Sequence, residues 1–228
     1  MTESIKILYK DKNVIVINKP AGMPSQSDPS GDTDAMTAAS EMLAQNGEPS
    51  SLWLVHRLDR TVGGLIVFAR NKKCAAELSG IIAGGMLDKK YLAVCHGEAK
   101  EGKYEDFLFK DNATSKAYVV NTERKGAKRA ELDLKKLASG DEKSLVYITL
   151  HTGRFHQIRA QLSSRGNSLV GDKKYGSRDA SRRTPALFSS KLSFVLFGKR
   201  ITVSALPDIE EYPWNSFAKD KYSGVENE

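Results

Sequence analysis

The stretch VHRLDRTVGGLIVFAR, residues 55–70, decides the fold because it joins a charged turn to a continuous apolar run. Its GLIVFA part, residues 64–69, lacks polar alternation and predicts a strand that is buried on both faces. Asp59 lies just before this strand, between Arg57 and Arg60. A carboxylate in that setting can stay ionised while partly desolvated, which suits catalysis. A structural ion pair between Asp59 and its neighbours explains the same pattern.

The segments around this strand alternate between β-rich and helical patterns. Polar loops and glycines separate them and act as breakers. In chain order, we predict a hairpin over 5–18 ending in NKPAG, a polar loop over 24–33, a helix over 35–45, a helix over 71–83 and a strand at KYLAVCHG.

The C-terminal half is richer in β-favouring runs. Residues 103–150 predict hairpins, and the final runs LSFVLF and RITVSAL predict two strands around a turn at Gly198. Phe155, Ile158 and Leu162 share one face of a helix predicted over 155–164. The sequence thus predicts a mixed α+β fold, with a mainly antiparallel sheet and flanking helices. We expect one catalytic domain over 1–228, with a polar, frayed tail from about residue 215.

Composition narrows the class of protein. Lys and Arg total 35 against 28 for Asp and Glu, a formal charge of +7 that favours a polyanionic partner. No run approaches the ~20 apolar residues that span a bilayer, and polar TESIK follows Met1, so we expect a cytoplasmic protein without a membrane partner. Cys74 and Cys95 lie in apolar settings without a CxxC pair, which favours reduced, buried thiols over disulfides or zinc.

Other enzyme classes find little support in the motifs. The chain has no P-loop, GxGxxG or HExxH pattern, and its four histidines lack ligand spacing. A nucleotide-binding or metal-dependent hydrolase is therefore disfavoured.

A second charged segment, LHTGRFHQIRAQLSSRG, covers residues 150–166. Arg154 and His156 stand near the start of the predicted helix, where the helix dipole disfavours cations. An anion opposite them, either Asp59 or RNA phosphate, explains this placement. A solvated basic helix explains it equally well.

Taken together, HRLDR with GLIVFAR, then KKYLAV, then TGRFHQIR with GDKKYG resembles the RluA-type pseudouridine synthases in order and spacing. The resemblance runs from NKPAG near Lys19 to GDKKYG at residues 171–176, which is most of the chain. It implies the pseudouridine synthase fold.

The resemblance also implies a set of site residues. Asp59 matches the catalytic aspartate of the family, and Arg57 matches an arginine that helps to hold RNA open around the flipped nucleotide. Tyr91 matches the tyrosine that packs against the target base, and Arg159 matches the arginine that pairs with the catalytic aspartate. Without the resemblance, Tyr91 in a predicted strand favours a core role.

The sequence departs from the family at several positions. Val62 and Gly63 stand where Thr and Ser are usual, and Ala160 and Gln161 follow HQIR where Val-His is common. The catalytic hairpin begins almost at Met1, so we expect no separate S4-type RNA-binding domain before it. RNA contacts then fall to the catalytic domain itself, and we assign them to Arg57, Arg60, Lys19, Arg154, His156, Lys173 and Lys174. For Lys173 and Lys174, a merely solvated basic surface is the alternative.

The activity implied is isomerisation of uridine to pseudouridine in structured RNA, either rRNA or tRNA. This reaction needs no metal and no organic cofactor. The competing hypothesis, motivated by Val62 and Gly63, is a catalytically inactive RNA-binding or RNA-folding protein on the same scaffold. Sequence leaves the RNA, the modified position and the oligomeric state open, with a monomer as the default.

Overall fold

The chain divides into two compact units. A computed structural model describes residues 5–123 and 125–227. The first unit comprises residues 1–88 and 188–205, and the second comprises residues 89–187 and 206–228. The expectation of a single catalytic domain over 1–228 stays a prediction.

The described elements comprise eleven strands and four α-helices, with one-turn 3-10 helices between some of them. In chain order they are β1 (Lys6–Lys10), β2 (Val14–Lys19), α1 (Ala35–Gln45), β3 (Trp53–Leu54), β4 (Gly63–Ala69), α2 (Lys72–Ala83), β5 (Asp88–His96), β6 (Gly102–Asp111), β7 (Lys116–Val120), β8 (Ala127–Gly140), β9 (Lys143–Leu150), α3 (Gln157–Ser163), β10 (Leu187–Leu196), β11 (Lys199–Ser204) and α4 (Ser223–Asn227).

The first unit is built around β4, in which every residue is buried. Strand β2 pairs antiparallel with both β1 and β4, and the short β3 also pairs with β4. The first residues of β4 pair in parallel with β10, which forms a hairpin with β11. Lys19 lies opposite Gly64, so the NKPAG loop emerges beside the residues that follow Asp59.

Two capped helices complete the first unit. The Asp34 carboxylate accepts hydrogen bonds from the amides of Met36 and Thr37 at the start of α1, and Asn71 accepts from the Cys74 amide at the start of α2. Such caps satisfy amides that have no partner within the helix. The buried face of α2 packs on apolar residues of β2, β4, β10 and β11.

The second unit contains an antiparallel sheet in the order β5-β9-β8-β6-β7. Helix α3 contacts β6 and β7. Ala160 of the helix packs with Leu108, Ala117 and Ala130 of the sheet and with Tyr175. The three alanines are small and let the helix backbone approach the sheet closely.

The predicted α+β fold with a mainly antiparallel sheet is confirmed. Cys74 and Cys95 are buried free thiols, as expected. No helix within the described residues combines the length and apolar character that a membrane crossing requires.

Two local predictions were wrong. Helix α3 begins at Gln157, and Phe155 is exposed rather than on its apolar face, because His156 takes a left-handed conformation that cannot belong to the helix. The segment after residue 214 is not frayed over its described part: Trp214, Phe217 and Tyr222 are buried, and the Tyr222 hydroxyl donates to the Trp214 carbonyl at 2.7 Å.

Candidate active site

Asp59 lies in the irregular segment between β3 and β4, within the first unit. Its side chain is half-buried, whereas Arg57 is exposed. The Val62 amide donates to the Asp59 carbonyl at 3.0 Å and closes a turn. The residue before Asp59 is Leu58. The buried hydroxyl of Ser25 donates to the Leu58 carbonyl at 2.9 Å and accepts from the Leu58 amide at 3.1 Å. Ser25, which the sequence did not single out, therefore fixes the backbone that carries Asp59.

Lys19 is completely buried. Its ammonium donates to the carbonyls of Pro20, Met23 and Arg60 at 3.0, 2.7 and 3.3 Å. Burial lowers the pKa of Lys19 to about 7, and the nearby negative charge of Asp59 opposes that shift. These three hydrogen bonds join the NKPAG loop to the Asp59 segment. Contact between Lys19 and RNA stays a prediction, and would require exchange of a carbonyl partner for phosphate.

Arg60 ties the polar loop over 24–33 to the same segment. Its backbone carbonyl accepts from the Gly22 amide at 2.8 Å, and its Nε donates to the Gly22 carbonyl at 2.9 Å. Its guanidinium also donates to Ser30 Oγ at 2.9 Å and forms ion pairs with Asp28 and Asp32. Contact between Arg60 and RNA stays a prediction, and would require exchange of these carboxylates for phosphate.

The departures at Val62 and Gly63 fit the packing of this segment. Val62 is 2% exposed, so its apolar side chain belongs to the core. A Cβ atom on Gly63 would lie 3.3 Å from the Ala21 amide nitrogen and 3.4 Å from the Lys19 carbonyl oxygen. The turn is closed by backbone hydrogen bonds, which need no hydroxyl at either position.

Arg159 projects from α3 in the second unit and is 5% exposed. Its Nε and Nη2 donate to the two carboxylate oxygens of Asp172 at 2.7 and 2.9 Å. The guanidinium carbon also lies 5.0 Å from the centre of the Tyr175 ring. This two-point contact fixes the guanidinium plane. Asp172 and Tyr175 were missed as site residues, although both lie in the GDKKYG motif that the sequence analysis quoted.

Tyr91 lies on β5, opposite Ile148 of β9, and is 7% exposed. Its packing against a target base and the pairing of Arg159 with Asp59 stay predictions.

His156 precedes α3 and is partly buried. Its Nδ1 shares a hydrogen bond of 3.0 Å with the Tyr175 hydroxyl. Burial, and then the positive charges of Arg159, Lys174 and Lys110, lower its pKa to about 3. The imidazole is therefore neutral near pH 7, and contact between His156 and RNA stays a prediction.

Three further predicted RNA contacts lie on the surface of the second unit, whereas Arg57, exposed in the first unit, also stays a prediction. Arg154 is exposed, and its Nε donates to the Arg129 carbonyl at 2.8 Å. Lys173 and Lys174 are exposed in a one-turn 3-10 helix. Their positions leave RNA contact as a prediction for all three.

The departure at Gln161 is also accommodated. The side chain is fully buried, and its amide nitrogen donates to Asp106 Oδ2 at 2.6 Å.

Within the described residues, no group of three or more His, Cys, Asp or Glu side chains is arranged to hold a metal ion.

The sequence motifs and the fold, together with the Asp59 segment held by Ser25 and with Arg159 held by Asp172, define a class of RNA-modifying proteins. A family model described as RNA pseudouridylate synthase matches residues 13–164. The chain belongs to this family.

Curated relatives cover most of the chain. It is 32% identical over 196 residues to the uncharacterized RNA pseudouridine synthase YhcT of Bacillus subtilis, which covers 84% of this chain and 64% of that protein. It is 34% identical over 177 residues to an uncharacterized RNA pseudouridine synthase of Zymomonas mobilis, covering 75% and 78%. It is 30% identical over 206 residues to ribosomal large subunit pseudouridine synthase C of Rickettsia felis, covering 87% and 66%. The chain thus spans about two thirds of YhcT and of the Rickettsia protein.

Solved structures support the fold. Human RNA pseudouridylate synthase domain containing 1 superposes with a TM-score of 0.78 at 20% identity, covering 98% of this chain and 94% of that one. Human RNA pseudouridylate synthase domain containing 4 gives a TM-score of 0.74 at 23% identity, covering 89% of each chain.

Proposed function

We propose that this protein converts specific uridines of structured RNA to pseudouridine, with Asp59 as the catalytic carboxylate. The observation that carries the proposal is the position of Asp59 just before the buried strand β4. Ser25 holds the preceding residue, Leu58, through two hydrogen bonds. Asp59 is also close enough to the Lys19 ammonium to influence its pKa. A positive charge nearby favours the ionised carboxylate.

The reaction requires an ionised acid beside the ribose. The bond between uracil N1 and ribose C1′ breaks, the base turns, and a bond forms from C5 to C1′. The C5 hydrogen then leaves as a proton and N1 takes up a proton, so the product is an isomer of the substrate. A carboxylate either attacks C1′ or takes a proton from the sugar while stabilising positive charge, and both roles need the ionised form. Glycoside hydrolysis normally uses two carboxylates, one to activate water. Of the two motif carboxylates, Asp172 is engaged by Arg159, and catalysis by Asp59 alone fits retention of the base.

The other site residues take supporting roles in this proposal. A base inside a helix is inaccessible, so the nucleotide is flipped at a cost of a few kcal/mol. Tyr91 packs against the flipped base, Arg57 holds the opened RNA, and Arg159 is held in a fixed orientation by Asp172. Arg60, Arg154, Lys173 and Lys174 contact the phosphate backbone.

The substrate proposed is ribosomal RNA first and transfer RNA second. The name of the Rickettsia relative places that protein on the ribosomal large subunit, which motivates the order. We further infer a monomer that acts in the cytoplasm without a metal or organic cofactor.

The test is pseudouridine mapping by carbodiimide adducts and primer extension. Total RNA from cells that lack the gene is incubated with purified wild-type protein, with Asp59→Asn, or with Asp220→Asn. Asp220 is an exposed aspartate paired with Lys221, and its variant matches the charge change. We expect wild type and Asp220→Asn to modify the same positions, and Asp59→Asn to be slower by about 100- to 10,000-fold.

Modification by Asp59→Asn at the wild-type rate would exclude Asp59 as the catalytic residue. A wild-type protein that binds the RNA without forming pseudouridine would favour the alternative of an inactive RNA-binding or RNA-folding protein.

A further inference from the structure

Phe155 is exposed on the second unit, in the turn that leads into α3. Its ring stacks on the His156 imidazole, with centroids 3.8 Å apart and an angle of 19° between the planes. Lys110 Nζ lies 4.7 Å from the centre of the Phe155 ring. An exposed phenylalanine is unfavourable in water, so a ring held flat beside a lysine is a candidate contact surface.

The backbone beneath this ring is held in an uncommon conformation. His156 has φ 52° and ψ 29° in the left-handed region, which non-glycine residues rarely adopt. The Tyr175 hydroxyl that bonds His156 Nδ1 also accepts from the Ala117 amide at 2.7 Å. Strain of this kind persists where the surroundings enforce it and is concentrated at functional sites. The stack is therefore fixed in place before any ligand arrives.

Lysines surround the stack. Besides Lys110, Lys116 Nζ lies 5.0 Å from the centre of the Tyr175 ring, and Lys174 Nζ donates to the Ser115 carbonyl at 2.7 Å. Lys110 and Lys174 are both close enough to lower the pKa of His156. The positive charge of this surface comes from the lysines, since His156 itself is neutral.

We propose that Phe155, with Lys110, Lys116 and Lys174, forms a stacking platform for an unpaired nucleotide of the RNA substrate, separate from the target uridine. An aromatic face accepts any base, and the lysines accept phosphates, so single-stranded RNA satisfies both parts of the surface. On binding, the base takes the place of Lys110 over the ring, and the flexible lysine turns to a phosphate. This inference rests on the proposed function, because it names where that RNA is gripped.

The protein contains a matched control for this surface. Phe197, in the turn between β10 and β11 of the first unit, is also exposed and has a left-handed backbone, as His156 beside Phe155 has. Lys73 Nζ lies 5.3 Å from the centre of its ring. A single phenylalanine–lysine pair is therefore not the basis of the proposal. The basis is the group of lysines around a strained stack that adjoins the helix of Arg159.

Binding is measured by fluorescence anisotropy with a 5′-fluorescein oligouridine of twelve nucleotides and with a blunt RNA duplex of the same length. We expect Phe155→Ala to weaken oligouridine binding by about 5- to 100-fold, the range for loss of one stacked base. Phe155→Trp should restore it, and Phe197→Ala should match wild type. Duplex binding should change less than oligouridine binding, since paired bases offer no free face.

Two further variants separate stacking and charge from folding. Phe155→Leu keeps an apolar side chain, so it tests the need for a ring if Phe155→Ala unfolds. Lys110→Gln should reduce the slope of log affinity against log salt by about 0.7, because loss of one phosphate contact with a single strand changes the slope by that amount. The control Lys73→Gln should leave the slope unchanged.

Equal effects of Phe155→Ala and Phe197→Ala, or full affinity in Phe155→Leu, would overturn the proposal. Because binding is measured apart from pseudouridine formation, failure of the platform is distinguishable from failure of the proposed activity. If the proposed activity fails, the wild type forms no pseudouridine, and this result does not depend on the effect of Phe155 variants on binding.

Discussion

At the scale of single residues, Gly64 shows how closely the strand after Asp59 approaches its neighbour. It has φ +109°, and a Cβ atom there would lie 2.3 Å from the Ser189 carbonyl oxygen and 2.5 Å from the Ser189 nitrogen. Neither atom belongs to a flexible side chain, so no local rotation relieves the overlap. From the sequence, Gly64 is predicted only as the first residue of the apolar strand over 64–69, and Gly63 is a departure from the family pattern.

We expect Gly64→Ala to lower the free energy of unfolding by about 2–5 kcal/mol, through backbone strain and overpacking together. Urea denaturation measures the change. The control is Gly80→Ala in the exposed part of α2, where a Cβ atom meets nothing within 4 Å. That variant should gain about 0.5–1 kcal/mol from helix propensity. A Gly64→Ala protein as stable as wild type would contradict the close approach.

At the scale of elements, a buried ion pair adds to the apolar packing that holds α3 within the second unit. Asp172 is 1% exposed and joins Arg159 from a segment thirteen residues further along the chain. The periodicity of the helix gave its buried face, but its first turn is set by His156 and by Gln157. Gln157 Oε1 accepts from the Arg154 amide at 3.0 Å. Apolar periodicity carries no information on such polar contacts, which is why the helix start was misplaced.

We expect Asp172→Asn to cost about 3–5 kcal/mol of unfolding free energy, because it leaves the buried Arg159 charge without its two-point acceptor. Pseudouridine formation should fall as well, since the guanidinium loses its orientation. The control is Asp133→Asn, whose exposed partner is His151, and it should change stability by less than about 1 kcal/mol. Similar losses in both variants, measured by urea denaturation, would exclude a special role for Asp172.

At the scale of the whole molecule, the formal charge of +7 is the property most relevant to RNA. A protein that neutralises phosphates releases condensed cations, so its affinity falls as salt rises. We expect log affinity for structured RNA to fall linearly with log salt between about 50 and 300 mM, with a slope near −0.7 to −0.9 per phosphate contact. Anisotropy titrations measure it, and a slope near zero would contradict an interface made by lysines and arginines.

Most of the fold was predictable because it follows from local periodicity. The uninterrupted GLIVFA run determined the buried strand, alternation and turn residues determined the hairpins, and Asp34 and Asn71 are ordinary helix caps. The tail was misjudged because its few apolar residues, Trp214, Phe217 and Tyr222, are spread among polar ones. Their burial depends on packing partners elsewhere in the chain.

The sequence by itself determined the net positive charge, through its composition, and the α+β fold, through local periodicity. It determined the family through the order and spacing of its motifs, and the roles of Asp59, Tyr91 and Arg159 that the family resemblance implies stay predictions. Tertiary structure alone decided that Ser25 holds Leu58, that Asp172 holds Arg159, and that the buried Lys19 donates to three backbone carbonyls. It also decided that His156 is neutral. The reason is physical: burial and long-range hydrogen bonding determine the partner and charge of a polar side chain, and both depend on segments that are distant in sequence.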